Sequence, residues 1–101
     1  MASFQLRLEK SYWSKGFFNV GVDHQRFVTM REGPLDIFLG DSPQPIVGGR
    51  VSRSANRNGT PRIYGNKAMQ VFFQKHWRIG DTVEVEFISP TAVRVGRSTG
   101  R

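Results

Sequence analysis

The chain contains no cysteine, which excludes disulfides and thiolate-ligated metals. It also lacks long apolar runs, and nothing approaches the roughly 18 residues a membrane helix requires. The start, Met1-Ala2-Ser3-Phe4-Gln5-Leu6-Arg7-Leu8, alternates like a strand and lacks the basic-then-apolar plan of a signal peptide. A cytoplasmic, intracellular protein is therefore expected. Histidine is scarce, because His24 and His76 are the only two. Asp23-His24 resembles an acid–base pair on paper, but neighbours on a helical turn do not face each other. Glu84 and Glu86 share one strand face and could bind a metal, although a solvated sheet face explains them more simply. There is no phosphate-cradling glycine motif, zinc-ligand spacing or nucleophile elbow. No catalytic residue, metal or cofactor is expected, and the chain does not read as an enzyme.

The most informative absence is of one charge sign. Between Asp41 and Asp81 there is no acidic residue, while Arg50, Arg53, Arg57, Arg62, Lys67, Lys75 and Arg78 all fall there. These seven cations equal the formal net charge of +7, and elsewhere eight bases balance eight acids. Concentrated like charge repels itself, so folding gives no reason to sort charge this way. A polyanion is the natural compensation, with a nucleic-acid backbone foremost.

What is present suits one small β-rich domain. The chain has 101 residues, enough for a single modest core. Eight Phe and two Trp provide the apolar mass. Phe4, Leu6 and Leu8 alternate with polar residues, as do Val83, Val85 and Phe87 with Glu84 and Glu86. Further short strands are predicted at Phe17–Val20, Leu35–Leu39, Gln44–Arg53, Thr60–Tyr64 and Ala92–Val95. The Gly48-Gly49 pair marks a bulge or a close backbone approach. Val22 to Phe27 suits one helical turn. Asn66 is expected to cap a helix over 67–77 that buries Met69, Phe72, Phe73 and Trp77. Seven short strands with one or two short helices, near 22–27 and 67–77, give a mainly β barrel or strongly bent sheet. Residues 1–96 form the expected domain, and 97–101 a frayed tail.

The segment from Arg50 to Arg62 is the richest in polar chemistry, with four Arg and two Asn in 13 residues and no acid. Arg pairs with guanine edges or phosphates, Asn pairs with adenine, and Ser and Thr hydroxyls donate to phosphates. Asn58-Gly59 permits a tight reversal at a hairpin tip. The competing explanation is a solvated basic loop. Lys10-Ser11-Tyr12-Trp13-Ser14-Lys15 places two cations around two aromatics, a pattern that grips a backbone while rings pack on sugars or bases. Alternatively, Tyr12 or Trp13 closes the barrel end.

The order of these features resembles the DNA-binding pseudobarrel family. Phe72-Phe73-Gln74-Lys75-His76-Trp77-Arg78-Ile79-Gly80-Asp81-Thr82-Val83 is similar to a stretch of the plant domain found in auxin response factors. Gly16-Phe17-Phe18-Asn19-Val20 and the segment from Ser52 to Ile63 resemble the bacterial branch, the target-recognition domains of EcoRII- and BfiI-type restriction endonucleases. The likeness runs over residues 4–95. The Trp of the plant pattern's central strand is absent, and Gly48-Gly49 stands there.

The resemblance implies a seven-stranded open pseudobarrel that holds the major groove of double-stranded DNA with two arms, Lys10–Gly16 and Arg53–Arg62. Base reading would fall to Arg53, Asn56, Arg57, Asn58, Arg62 and Trp13. Backbone contacts would come from Lys10, Tyr12, Ser14, Lys15, Arg50, Ser52, Ser54, Thr60 and Lys67. The implied setting is a bacterial cytoplasm, nucleoid-associated when bound, with the domain monomeric in isolation and a fused or associated nuclease domain as further partner. A small barrel binding single strands or RNA through exposed aromatics is the alternative. A protein-binding adaptor or small enzyme is the third.

Overall fold

The computed structural model describes residues 2–97. β1 (Ser3–Arg7) leads into α1 (Lys10–Lys15) and β2 (Phe17–Asn19), followed by a single 3-10 turn at Gln25–Phe27. β3 (Gly33–Pro34) and β4 (Asp36–Leu39) follow, then β5 (Arg50–Ser52), β6 (Arg62–Tyr64), α2 (Asn66–His76), β7 (Thr82–Ser89) and β8 (Ala92–Val95). The mainly β expectation holds, and α2 lies within a residue of the predicted helix.

The strands form two four-stranded sheets, ordered β1-β7-β8-β4 and β2-β6-β5-β3, which do not close into a barrel. β3 and β4 are separated only by Leu35, so one chain segment supplies an edge to each sheet. All strand pairs are antiparallel except β4 with β8. Alternation decides which side chains turn inward. Val83, Val85 and Phe87 from β7, Leu6 from β1, Val93 and Val95 from β8 and Ile37 from β4 are all buried. Phe18, Val51 and Ile63 do the same for the second sheet, and Met69 and Phe73 add the buried stripe of α2.

Three expectations change. The stretch expected to serve as an arm, Lys10 to Gly16, is a helix over Lys10–Lys15 capped by Gly16, and it packs antiparallel along α2. Gln74 and Gln70 of α2 donate to the carbonyls of Trp13 and Ser14, and the Gly16 carbonyl accepts from Gly65 and Asn66 N–H. Asn66 does not cap α2. Gly65 takes the cap position, and the Asn66 amide donates to the Gly48 carbonyl at 3.3 Å. The strand predicted over Gln44–Arg53 shrinks to Arg50–Ser52. Gly48-Gly49 does mark a close approach, since a Cβ on Gly49 would lie 2.5 Å from the Leu35 carbonyl oxygen. Of the predicted tail, Arg97 pairs with Glu86 at 2.8 Å, and the rest lies outside the described residues. Among the described residues no helix is long and apolar enough to cross a membrane.

Candidate nucleic-acid interface

Because β2, β5 and β6 each bury their central residue, their flanking residues share the outer face of the second sheet. The register sets them in two rows. Pro34, Arg50, Tyr64 and Phe17 form one, and Ser52, Arg62 and Asn19 the next. Continuing the β3–β5 register by one step sets Glu32 opposite Ser52, at the end of the second row.

Two arginines on this face lie over rings. The Arg50 guanidinium is 4.2 Å from the Tyr64 centroid, and that of Arg62 is 4.6 Å from Phe17. Neither is paired with an acid, because the one ion pair among the described residues joins Arg97 to Glu86. Arg62 also donates to Asn19 Oδ1 at 2.9 Å and Asn56 Oδ1 at 3.1 Å. That uses two of the five N–H groups a guanidinium carries.

The ends of the face are basic. Gly16, which follows Lys15, and Asn66, which precedes Lys67, meet through their backbones beside Phe17 and Tyr64. Lys15 and Lys67 are exposed there. The opposite end carries the β5–β6 loop, with Arg57 exposed and, among the described residues, held by no side-chain hydrogen bond or ion pair. β6 is three residues long, so the two ends lie roughly 10 Å apart along the strands.

Several side chains expected to read bases are instead committed within the protein. Arg53 donates to the carbonyls of Thr29, Gly59, Gln25 and Val28 and to Gln25 Oε1, at 2.7 to 3.4 Å. All five of its N–H groups are used, so it staples the 25–29 loop to the hairpin and has no donor left for a base. The Asn56 amide nitrogen bonds Asn19 and Thr60 while its oxygen accepts from Arg62. Asn58 Oδ1 accepts from the Thr60 N–H and hydroxyl, leaving only its amide nitrogen outward.

The predicted backbone contacts divide similarly. Thr60 and Tyr12 are buried, Tyr12 packing edge-on to Phe17 at 5.4 Å. The Trp13 indole donates to the Trp77 carbonyl at 3.0 Å, so it joins the helices rather than facing a ligand. Ser14 Oγ bonds back to the Lys10 carbonyl. Lys10 stands at the far end of α1 from Lys15, toward Trp77. Ser52 and Ser54 both engage Glu32. The structure thus gathers Lys15, Arg50, Arg57, Arg62 and Lys67 around one face and removes Arg53, Asn56, Thr60, Tyr12 and Trp13 from it.

Phe17, Asn19, Tyr64 and Glu32 were not anticipated in this role. The available signal was the triplet pattern Phe17-Phe18-Asn19, Arg50-Val51-Ser52 and Arg62-Ile63-Tyr64, each with an apolar centre between outward residues. Nothing local announces Glu32.

His24 stacks on Phe4 at 5.0 Å, and among the described residues no hydrogen bond or ion pair joins it to Asp23. A hollow of about 770 Å³ lies where the C-terminal end of α2 meets the start of β7, lined by Phe72, His76, Trp77 and Glu84 among others. No three His, Asp or Glu among the described residues are grouped to hold a metal. No family model, curated protein or solved structure matches the chain.

Proposed function

We propose that the chain binds nucleic acid, duplex DNA before other forms, through the outer face of β2-β6-β5. The observation that carries this is the pair Arg50 and Arg62, unpaired with acid and lying on aromatic rings, with Lys15 and Lys67 at one end and Arg57 at the other. Such an arrangement is costly without a polyanion and matches the donors that hold phosphates. Lys15, Arg50 and Lys67 would set register on one strand, and Arg57 would reach from the hairpin tip. There Arg57 would hold a further phosphate, and the Asn58 amide nitrogen is left to contact base edges.

If β3 and β4 count as one bent strand, the order becomes β1-β7-β8-β4/β3-β5-β6-β2. That is a seven-stranded open pseudobarrel with α1 and α2 beside the gap between its edge strands. The 10–16 helix and the 53–61 loop then flank the two ends of the β2-β6-β5 face, as the arms of the resembling family flank a groove. On this basis the chain is a target-recognition domain whose catalytic partner, a nuclease, would be supplied by a fused or associated domain.

A single-strand reading finds support in half-buried Phe17 and Tyr64. Both rings are already covered by a guanidinium, and Tyr12 and Trp13, the rings that reading needs most, are turned inward. Duplex binding asks for no ring to be uncovered and is therefore favoured. Competition between a labelled random duplex and single strands of equal length tests this. Displacement by duplex but not by single strands is expected, and the reverse order would transfer the function to single strands. Selection from a randomised duplex library would then define the site.

A further inference from the structure

The Glu32 carboxylate sits where the backbone is built for an anion. One oxygen, Oε2, accepts from the Arg53 N–H at 2.5 Å, the Ser54 N–H at 2.6 Å and the Ser52 hydroxyl at 3.2 Å. Two consecutive main-chain N–H groups converging with a hydroxyl make a concave anion site of the kind that holds phosphate oxygens. Among the described residues no cation contributes, since Glu32 forms no ion pair with them and Arg53 turns its guanidinium away to the 25–29 loop. Glu32 is exposed and returns readily to water. Among the described residues it is also the one acid beside the outer face of β2-β6-β5, opposite Ser52 at the end of the row that holds Arg62.

We propose that the Ser52 hydroxyl and the N–H groups of Arg53 and Ser54 form a phosphate-binding site, which Glu32 occupies in the free protein and yields to a nucleic-acid phosphate. Its role in binding rests on the function proposed above, whereas the site itself is a property of the hairpin. The carboxylate satisfies the donors while no ligand is present. It also opposes loosely held polyanions, because its charge must be displaced before a phosphate seats beside Arg62. Binding then exchanges one anion for another at the same three donors, so the hairpin need not rearrange.

The test is titration of ¹⁵N-labelled protein with inorganic phosphate, followed by duplex DNA affinity, for wild type, Glu32→Ala and Glu32→Gln. In Glu32→Ala, phosphate should shift the Arg53 and Ser54 amide signals saturably, with a much weaker response in wild type. Duplex affinity should rise by about fivefold, the net worth of roughly one hydrogen bond. Asp36→Asn, an exposed acid on β4, should change it by less than about twofold. Folded Glu32→Ala protein whose Arg53 and Ser54 amides ignore phosphate overturns the site. Equal gains from Glu32→Ala and Asp36→Asn reduce the effect to net charge and overturn the displacement. Should Glu32→Ala not fold, Glu32→Gln keeps an acceptor in place, and weaker duplex binding by that variant would make Glu32 a mere clamp. Saturable phosphate binding without duplex binding keeps the site and defeats the nucleic-acid function instead.

Discussion

Arg53 and Arg57 are four residues apart in one loop and do opposite work. Arg53 spends its five donors inside the protein, so Arg53→Ala strands several carbonyls and should cost about 2–4 kcal/mol in chemical denaturation. Arg53→Lys should recover little of this, because an ammonium cannot reproduce the planar fork. Arg57→Ala should leave stability within about 0.5 kcal/mol, as surface changes usually do, while weakening duplex binding. Sequence alone could not separate the two, because both are Arg in a polar loop and the difference lies in carbonyls of the 25–29 loop. Glu32 shows the same limit, since its partners are 20 to 22 positions away. Hydrogen bonding from Ser54 first, and then from the Arg53 backbone, holds the Glu32 carboxyl below its ordinary value of 4.5. Its contribution to stability is therefore complete above that value and fades as pH falls through the lowered one. Glu32→Gln should flatten this part of an acid-unfolding curve followed by circular dichroism. An unchanged acid limb would mean the contacts add nothing to the folded state.

The elements were legible where alternation was strict. β7 and β8 bury alternate residues, β1 turns Phe4 and Leu6 to the same side, and α2 follows from Met69 and Phe73 on one face. α1 was not legible, because Lys10-Ser11-Tyr12-Trp13-Ser14-Lys15 has no helical apolar stripe and no acid in its first turn. It is held from outside by the Trp13 indole and by Gln70 and Gln74 of α2. Gly16 ends it with φ at 74°, where a Cβ would stand 2.1 Å from the Asn66 carbonyl oxygen. Gly16→Ala should therefore cost about 2–4 kcal/mol, combining left-handed strain with overpacking against α2. It should also weaken duplex binding, because the same turn sets Lys15 beside Lys67. Thermal unfolding checks the first effect. Binding measured well below the transition checks the second, and a folded variant with wild-type affinity would show that this turn does not position the site.

Across the whole molecule, the charge block did not fold into one projecting clamp. Arg53 went inward, Lys75 and Arg78 went to the far end of α2, and Arg50, Arg57, Arg62 and Lys67 stayed around the β2-β6-β5 face, joined by Lys15 from outside the block. Counting charge along the chain therefore overstates the number of cations available, since Arg53 is spent inside the protein. The central claim is that this face neutralises backbone phosphates, and its most direct measurement is duplex affinity by fluorescence anisotropy across a salt series. Four or five contacts predict that log affinity falls with log salt at a slope of about −4. Arg57→Ala should lower its magnitude by about 1, and Arg50→Ala with Arg57→Ala by about 2. Arg78→Ala, at the other end of α2, should leave the slope unchanged. A flat salt dependence, or Arg78→Ala matching Arg57→Ala, would contradict it.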